Sequence, residues 1–430
     1  MDAVAVAIMD TAAFQRLRYI RQLGLAHLVY PGATHTRFDH ALGVYHLAFR
    51  ALGILKAGPA VPDTVWRDAH LIPYAALLHD IGHYAFSHAL EELEPERIAG
   101  DHEEMSARFF ESAPLKSALK PLGAGAAGEI FRIIKGEGGN ALRGLVSGSL
   151  DLDKMEYLRR DARFCGVPYG EVDVERLLQG LALLRDPVTG DWEVGLRGKS
   201  LSTLESLLFS KYQMFRTVYW HHAVRAATGL YKRIVETAVE AGLLSPIELV
   251  GPTDEELLYE LGRRASAGQG TSATRLARRW LPALRERRLP KRATEITAWQ
   301  LEGRTVPSWV SGDTPAKRRW EDGVAAELGL APGEVILDFP VKNQMFHLDV
   351  LVERSGHVVR LGRDGIPGLI DLPKLAEELY RTARVLRLFT FERRKVAPEW
   401  LLERLGGGPS SAGVVVTAES PAMAPAGVTK

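Results

Sequence analysis

The segment LLHDIGHYAFSH, residues 77–88, decides the fold of this chain. It places three histidines and one aspartate in an otherwise apolar run. At a helix end, the adjacent side chains of His79 and Asp80 lie about 100° apart and can reach one ion, whereas a strand would direct them to opposite faces. Imidazole and carboxylate both bind divalent metals. The alternative is a buried helix with one satisfied histidine and a capping aspartate, which leaves His83 and His88 unexplained.

The composition is that of an ordinary globular protein without a dominant charge. The chain has 430 residues, of which 46% are hydrophobic and 25% are charged. Its net charge of +1 gives no overall electrostatic field that would indicate a nucleic-acid or membrane partner, although a local basic pocket is still compatible with it. The single cysteine, Cys165, excludes an intrachain disulfide framework and predicts a reducing, cytoplasmic location. No signal peptide or membrane-spanning stretch is expected.

Hydrophobic periodicity predicts a mainly α protein with a multi-helical core and a small C-terminal α+β lobe. Thr11 and Thr36 are expected to cap early helices, and Ser147 or Ser149 a helix that runs to Asp161. A hairpin is expected over residues 181–196, and strands are expected after residue 331. The predicted division is a core at 1–245, a helical and locally basic region at 246–330, the lobe at 331–405 and a disordered tail at 406–430.

Two further segments supply the partners that a metal site needs. One His-Asp pair is insufficient, because a catalytic metal needs further protein ligands and an open position. The segment HTRFDH, residues 35–40, offers an upstream imidazole, and DLDKMEY, residues 151–157, offers a downstream carboxylate. Asp153, Tyr157 and Asp161 are spaced by four and share one helix face. Helices from distant parts of the chain could therefore converge on one ion.

Five segments in this order resemble a known family. They are FQRLRYIRQLG (14–24), HTRFDHALGV (35–44), HDIGH (79–83), DLDKMEYLRRD (151–161) and YQMFRTVYWH (212–221). Together they are similar to the HD-domain phosphohydrolases, and within them to the branch of the SAM-and-HD-domain deoxynucleoside triphosphate triphosphohydrolases and their bacterial dGTPase-like relatives. Only the HD domain is expected, without a sterile-alpha-motif domain. Phe215 departs from the pattern, because some relatives carry a polar or basic residue there.

The resemblance implies one divalent metal ion held by four residues, His40, His79, Asp80 and Asp153. This set of imidazoles and carboxylates suits Mn, Fe, Mg, Zn, Ni or Co, and does not distinguish among them. Asp151 is a rival for Asp153, which we choose because the family places the ligand directly before the lysine.

The resemblance also assigns residues to the phosphate, the sugar and the base. His83, His88, Glu91 and His102 lie around the scissile phosphate, where His88 or His102 would protonate the leaving 5′-oxygen and Glu91 would orient a histidine. The family often has aspartate at the position of Glu91. The implied substrate contacts are Arg37, Lys154 and Tyr157 for phosphate and sugar, and Gln22, Asp161 and Tyr219 for base and ribose. Surface salt bridges for Arg37 and Lys154, and core packing for Tyr219, are the alternatives.

The implied function is a metal-dependent dNTP triphosphohydrolase. It would convert a deoxynucleoside triphosphate to deoxynucleoside and triphosphate, through attack of a metal-activated water at the α-phosphorus. One alternative is a phosphohydrolase of the same fold that acts on nucleoside monophosphates or cyclic nucleotides. Another is a nucleotide-sensing oligomeric module with a vestigial site. The resemblance further implies a homo-oligomer, dimer or tetramer, and an activating nucleotide.

Overall fold

Helices make up most of the described part of this protein. The computed structural model describes residues 2–93, 97–100, 102–312, 315–340, 348–362 and 371–406. The prediction of a mainly α fold with a C-terminal α+β part is confirmed. Residues 407–430, where a disordered tail is predicted, lie outside the described residues. Within the described residues, no helix has both the length and the apolar character to cross a bilayer.

The first part of the chain folds into the helices that carry the predicted ligands. Thr11 caps a short helix through the Phe14 amide, as predicted. Thr36 and Asp39 form a capping box that makes the next long helix begin at Arg37. The helices are α1 (Ala3–Met9), α2 (Ala12–Gln15), α3 (Arg37–Lys56), α4 (Ile72–Leu78), α5 (Ser87–Leu90), α6 (His102–Phe110), α7 (Ala113–Leu119), α8 (Ala126–Ile134), α9 (Gly144–Ser147) and α10 (Leu152–Cys165).

The cap of α10 corrects one prediction. Neither Ser147 nor Ser149 caps this helix, because Asp151 accepts a hydrogen bond from the Lys154 amide at 2.9 Å. Ser147 ends α9 and donates its hydroxyl to the carbonyl of Ile133. The helix therefore begins one residue before Asp153 and places that side chain in its first turn.

The later helices surround a long buried segment. Most of residues 201–240 lie in two α-helices, and five residues of π-helix, Phe215–Tyr219, follow the first of them. The second of these helices is buried along most of its length. The helices are α11 (Val174–Gly180), α12 (Leu201–Met214), α13 (His222–Glu240), α14 (Asp254–Ala267), α15 (Gly270–Arg275), α16 (Leu281–Arg285), α17 (Pro315–Glu327), α18 (Leu372–Ala383) and α19 (Pro398–Leu405).

Two sheets connect distant parts of the chain. The predicted hairpin is confirmed as β1 (Leu181–Arg185) and β2 (Trp192–Arg197). Strand β2 pairs in parallel with β5 (Val350–Arg354), and β5 pairs with β6 (His357–Leu361). The strands of the second sheet are β3 (Lys291–Thr297), β4 (Val335–Asp338) and β7 (Val385–Thr390). They are all antiparallel, and their order is β3-β7-β4.

Strand β3 lies inside the region predicted as helical, so that prediction is wrong for residues 291–297. The strand is stabilised by β7, its partner from much later in the chain, so local periodicity did not reveal it. Both sheets also cross the expected boundary at residue 331, because β2 pairs with β5 and β3 with β7.

Helices α3 and α10 approach closely at a glycine. A Cβ atom at Gly43 of α3 would overlap the carboxylate of Glu156 on α10. Glycine at this position therefore lets Glu156 enter the space beside α3, next to His40.

Candidate active site

Three side chains from three helices converge at the centre of the core. His40 lies in the first turn of α3, His79 caps the C-terminal end of α4, and Asp153 lies in the first turn of α10. The distance from His40 Nε2 to His79 Nε2 is 3.2 Å, and that from His40 Nε2 to Asp153 Oδ1 is 3.0 Å. His79 Nε2 and Asp153 Oδ1 are 3.7 Å apart. The structure thus brings together three of the four predicted metal ligands.

Hydrogen bonds determine which nitrogen of each histidine faces the cluster. His40 Nδ1 donates to Glu156 Oε2 at 2.6 Å, and His79 Nδ1 donates to the carbonyl oxygen of Ala76 at 2.8 Å. Carboxylate and carbonyl oxygens accept hydrogen bonds, so both Nδ1 atoms carry the proton in the neutral rings. The lone pair of each Nε2 is then directed toward the other Nε2 and toward Asp153.

This arrangement fits a divalent cation. Two ring nitrogens that both accept, only 3.2 Å apart, repel one another unless something positive lies beside them. Nitrogen ligands ~2.1 Å from one ion would be separated by roughly this distance. His40, buried and oriented by Glu156, is held as metal-binding histidines usually are, by a hydrogen bond on the other ring nitrogen.

The fourth predicted ligand, Asp80, lies beside the cluster and is also held by Arg37 and His83. Its Oδ1 is 3.4 Å from His79 Nε2, and its Oδ2 is 3.8 Å from His40 Nε2. Arg37 Nη1 donates to Asp80 Oδ2 at 2.6 Å, and His83 Nε2 lies 2.9 Å from Asp80 Oδ1. Arg37, predicted as a phosphate contact, is therefore buried against a proposed ligand.

The electrostatics of the cluster favour charged carboxylates. Burial by itself would raise the pKa of Asp153, but the imidazoles of His40 and His79 hold it well below its usual value. Burial would likewise raise the pKa of Asp80, and the guanidinium of Arg37 lowers it. Burial would lower the pKa of His40, but the carboxylates of Asp153 and Glu156 raise it, so a metal ion that bound Nε2 would displace a proton from this ring.

The geometry separates the two rival aspartates. Asp151 caps α10, forms an ion pair with Lys154, and has a pKa raised by burial and by the charge of Asp153. Asp153, two residues later, faces the two imidazoles. Lys154, predicted to contact substrate, donates to Asp151 and, at 3.0 Å, to the carbonyl oxygen of Gly148.

The predicted ribose and base residues form a second group along α10. Asp161 is buried and accepts hydrogen bonds from Tyr219 Oη at 2.6 Å and from His35 Nε2 at 2.8 Å. Gln22 is buried beside His35, and its backbone amide donates to the His35 carbonyl oxygen. The side-chain Oε1 of Gln22 has no hydrogen-bond partner among the described residues. Burial, followed by the charges of Asp153, Asp151 and Asp161, raises the pKa of Tyr157.

The residues predicted around the scissile phosphate are described only in part. His83 lies between two carboxylates, since its Nδ1 is 3.2 Å from Glu91 Oε1 on the side away from Asp80. His88 and His102 begin or belong to short helices, but their side chains lie outside those that the structure describes. The predicted acid is therefore placed by the backbone alone.

Two residues of this site were missed by sequence reasoning. Glu156 orients His40, and its spacing of three from Asp153 on one helix was the available signal. Arg16 donates to the carbonyl oxygens of His83 (2.9 Å) and Ile81 (2.7 Å) and so fixes the turn after His79. Arg16 lies within the resembling segment 14–24, but nothing in the sequence shows that it binds backbone.

Two models of known families match this chain. The family model for the HD domain matches residues 37–153, and the model for the HD associated region matches residues 172–365. The chain therefore contains an HD domain, followed by an HD associated region. The HD domain so defined contains His40, His79, Asp80 and Asp153, so all four predicted ligands lie within the matched range.

Three relatives illustrate how far the similarity extends. An uncharacterized protein of Methanocaldococcus jannaschii is 34% identical over 260 residues, which are 60% of this chain and 51% of that protein. Human deoxynucleoside triphosphate triphosphohydrolase SAMHD1 is 25% identical over 488 residues, 98% of this chain and 74% of that protein. A crystal structure of a phosphohydrolase from Bacteroides thetaiotaomicron, 21% identical, has the same fold, with a TM-score of 0.66 and coverage of 90% and 95%. This HD-domain chain spans about half the length of the first curated relatives that it matches.

Proposed function

We propose that this protein is a metal-dependent hydrolase that converts a deoxynucleoside triphosphate to deoxynucleoside and triphosphate. The observation that carries the proposal is the convergence of His40, His79 and Asp153, with both Nε2 atoms directed inward by hydrogen bonds on Nδ1. The similarity to the human triphosphohydrolase supports the choice of substrate class.

His40, His79 and Asp153, with Asp80 as the fourth ligand, would hold one divalent ion among Mn, Fe, Mg, Zn, Ni and Co. Such an ion supplies an acidified water and polarises a phosphate oxygen. The buried guanidinium of Arg37 keeps Asp80 ionised and adds positive charge next to the place where phosphate would bind.

The remaining residues position the substrate and the leaving group. Water would attack the α-phosphorus, the bond to the 5′-oxygen would break, and that oxygen would take a proton from His88 or His102. His83, between Asp80 and Glu91, would orient this part of the pocket. Lys154 would contribute charge to the phosphates.

The sugar would bind along α10. Asp161, fixed by His35 and Tyr219, would accept a hydrogen bond from a ribose hydroxyl, and Tyr157 would pack against the ring. Gln22, with its buried Oε1, would contact the base. Assembly as a homo-oligomer, a dimer or tetramer, an activating nucleotide and a cytoplasmic location remain predictions.

Product analysis tests the reaction directly. The metal-loaded protein is incubated with each of the four dNTPs, with and without the other three, and phosphorus NMR follows the products. We expect inorganic triphosphate and deoxynucleoside, and no turnover by Asp153→Asn. Intact dNTPs in a sample that retains its metal would contradict the proposal. Hydrolysis of only nucleoside monophosphates or cyclic nucleotides would favour the alternative phosphohydrolase.

A further inference from the structure

Helix α13 contributes a buried arginine to the loop that follows the HDIGH segment, residues 79–83. Arg225 is only 4% exposed, and it donates from Nη1 to Glu92 Oε1 at 2.6 Å and from Nη2 to Glu92 Oε2 at 2.8 Å. Glu92 directly follows Glu91, whose Oε1 lies 3.2 Å from His83 Nδ1. Neighbouring carboxylates of this loop thus contact His83 and Arg225, respectively.

The same guanidinium also binds the C-terminal part of the protein. Arg225 Nε lies 3.1 Å from both carboxylate oxygens of Asp338, and Nη2 lies 2.6 Å from Asp338 Oδ1. Asp338 is the last residue of β4, in the sheet β3-β7-β4. A planar guanidinium can bind two carboxylates side by side, whereas a lysine ammonium acts as a point charge.

At neutral pH, opposite charges maintain the contacts of Arg225 with Glu92 and Asp338. Burial would raise the pKa of Glu92, but the charges of Arg225 and Lys232 lower it to about 2. Lys232 lies two turns after Arg225 on α13 and donates to Glu92 Oε2 at 3.2 Å. Glu92 is therefore ionised and held from one face of α13.

The loop takes its shape from surrounding elements. Phe86 has a φ of 50°, a left-handed conformation that a bulky residue adopts only when its surroundings impose it. Its amide donates to Asp254 Oδ1 at 3.0 Å, and Tyr231 of α13 donates to the carbonyl oxygen of Ala85 at 3.2 Å. Helices α13 and α14 thus hold the backbone between His83 and Glu92.

We propose that Arg225 is a positioning residue for the active site, an inference that rests on the proposed function. Arg225 acts through Glu92 on the backbone that carries Glu91 to His83. Through Asp338 it makes this placement depend on the docking of the β3-β7-β4 sheet. The C-terminal part of the chain would thereby control how well the loop of the HD domain is aligned for catalysis.

The variant Arg225→Lys keeps the positive charge and removes the planar guanidinium that binds Glu92 and Asp338 together. We expect kcat to fall roughly 10- to 100-fold, because small displacements of catalytic groups have effects of this size, while KM and metal content stay unchanged. Amide hydrogen exchange in residues 83–93 should become faster.

Arg233→Lys is the matched control, because Arg233 is also buried on α13 but pairs with Glu321 of α17. It should lose stability and retain kcat and the exchange rates of the loop.

The proposal is overturned if Arg225→Lys keeps the kcat and loop exchange of the wild type, or if Arg233→Lys changes both to the same extent. Should Arg225→Lys fail to fold, Glu92→Gln replaces it, and unchanged kcat and exchange would again overturn the proposal. If the wild type hydrolyses no dNTP, the proposed function fails. Faster exchange in residues 83–93, confined to Arg225→Lys, would then still support the positioning role.

Discussion

At the scale of single residues, the pair of His40 and Glu156 determines which ring nitrogen is available to an ion. Glu156 accepts the Nδ1 proton at 2.6 Å and is itself held by Arg160 Nε at 2.6 Å. A hydrogen-bonded carboxylate behind a histidine ligand fixes the tautomer and makes the ligand more basic. Glu156 would therefore contribute to metal affinity without touching the metal.

Glu156→Gln tests this role. The amide keeps the shape of the side chain and loses its charge, so we expect metal affinity to fall about tenfold, the lower end for partners of this kind. Isothermal titration of the metal-free protein measures the change. Glu175→Gln, which alters an exposed ion pair with Arg50, serves as the control and should bind metal as the wild type does. Equal affinities for Glu156→Gln and the wild type would show that His40 needs no such partner.

The sequence predicts the metal ligands better than it predicts the residues that orient them. The chemistry of the residues, with the family resemblance, points to His40, His79 and Asp153, and the structure brings these together. Glu156 is one acidic residue among several on a charged helix, and its partner His40 lies 116 positions earlier in the chain. Its spacing of three from Asp153 indicates a shared helix face, but its contact with His40 depends on how α3 packs on α10, which no local pattern contains.

At the scale of elements, one glycine decides how closely α3 approaches α10. Gly43 faces Glu156, and a side chain there would displace the carboxylate from its position beside His40. Gly53, on the same helix, has no atom within 4 Å of the place that a Cβ would occupy. The two glycines therefore differ in packing while sharing a helical backbone.

Alanine substitutions distinguish packing from helix propensity. Gly43→Ala should lower both metal affinity and thermal stability, since the methyl group overlaps Glu156. Gly53→Ala should raise stability by about 0.5–1 kcal/mol, because alanine favours a helix and nothing obstructs it. Calorimetry and metal titration of the two variants measure both effects. If Gly43→Ala bound metal with unchanged affinity, the close approach would not matter to the site.

Elements were predictable where their signals were local. Thr36 and Asp39, three residues apart, form the capping box of α3. The paired strands β1 and β2 are separated only by their own short turn. Strand β3 has its partner β7 far away in the chain, and this partner overrides the charged, helix-like local composition. The cap of α10 was misplaced because serines and an aspartate compete within five residues.

At the scale of the whole molecule, the candidate site joins segments that are remote in sequence. His40, His79 and Asp153 come from α3, from the end of α4 and from α10, and these helices share one apolar core. Arg225 extends the connection to the β3-β7-β4 sheet through Asp338. An ion that binds only the folded protein would stabilise this whole arrangement by mass action.

Metal content measured on three proteins tests the central claim most directly. Wild type, Asp153→Asn and Asp151→Asn are each incubated with Mn²⁺, desalted and subjected to elemental analysis. Asparagine caps a helix about as well as aspartate, so Asp151→Asn should keep α10 intact. We predict about one ion per chain in the wild type and in Asp151→Asn, and a loss of metal in Asp153→Asn. Metal retained by Asp153→Asn, or lost only from Asp151→Asn, would contradict the site described here.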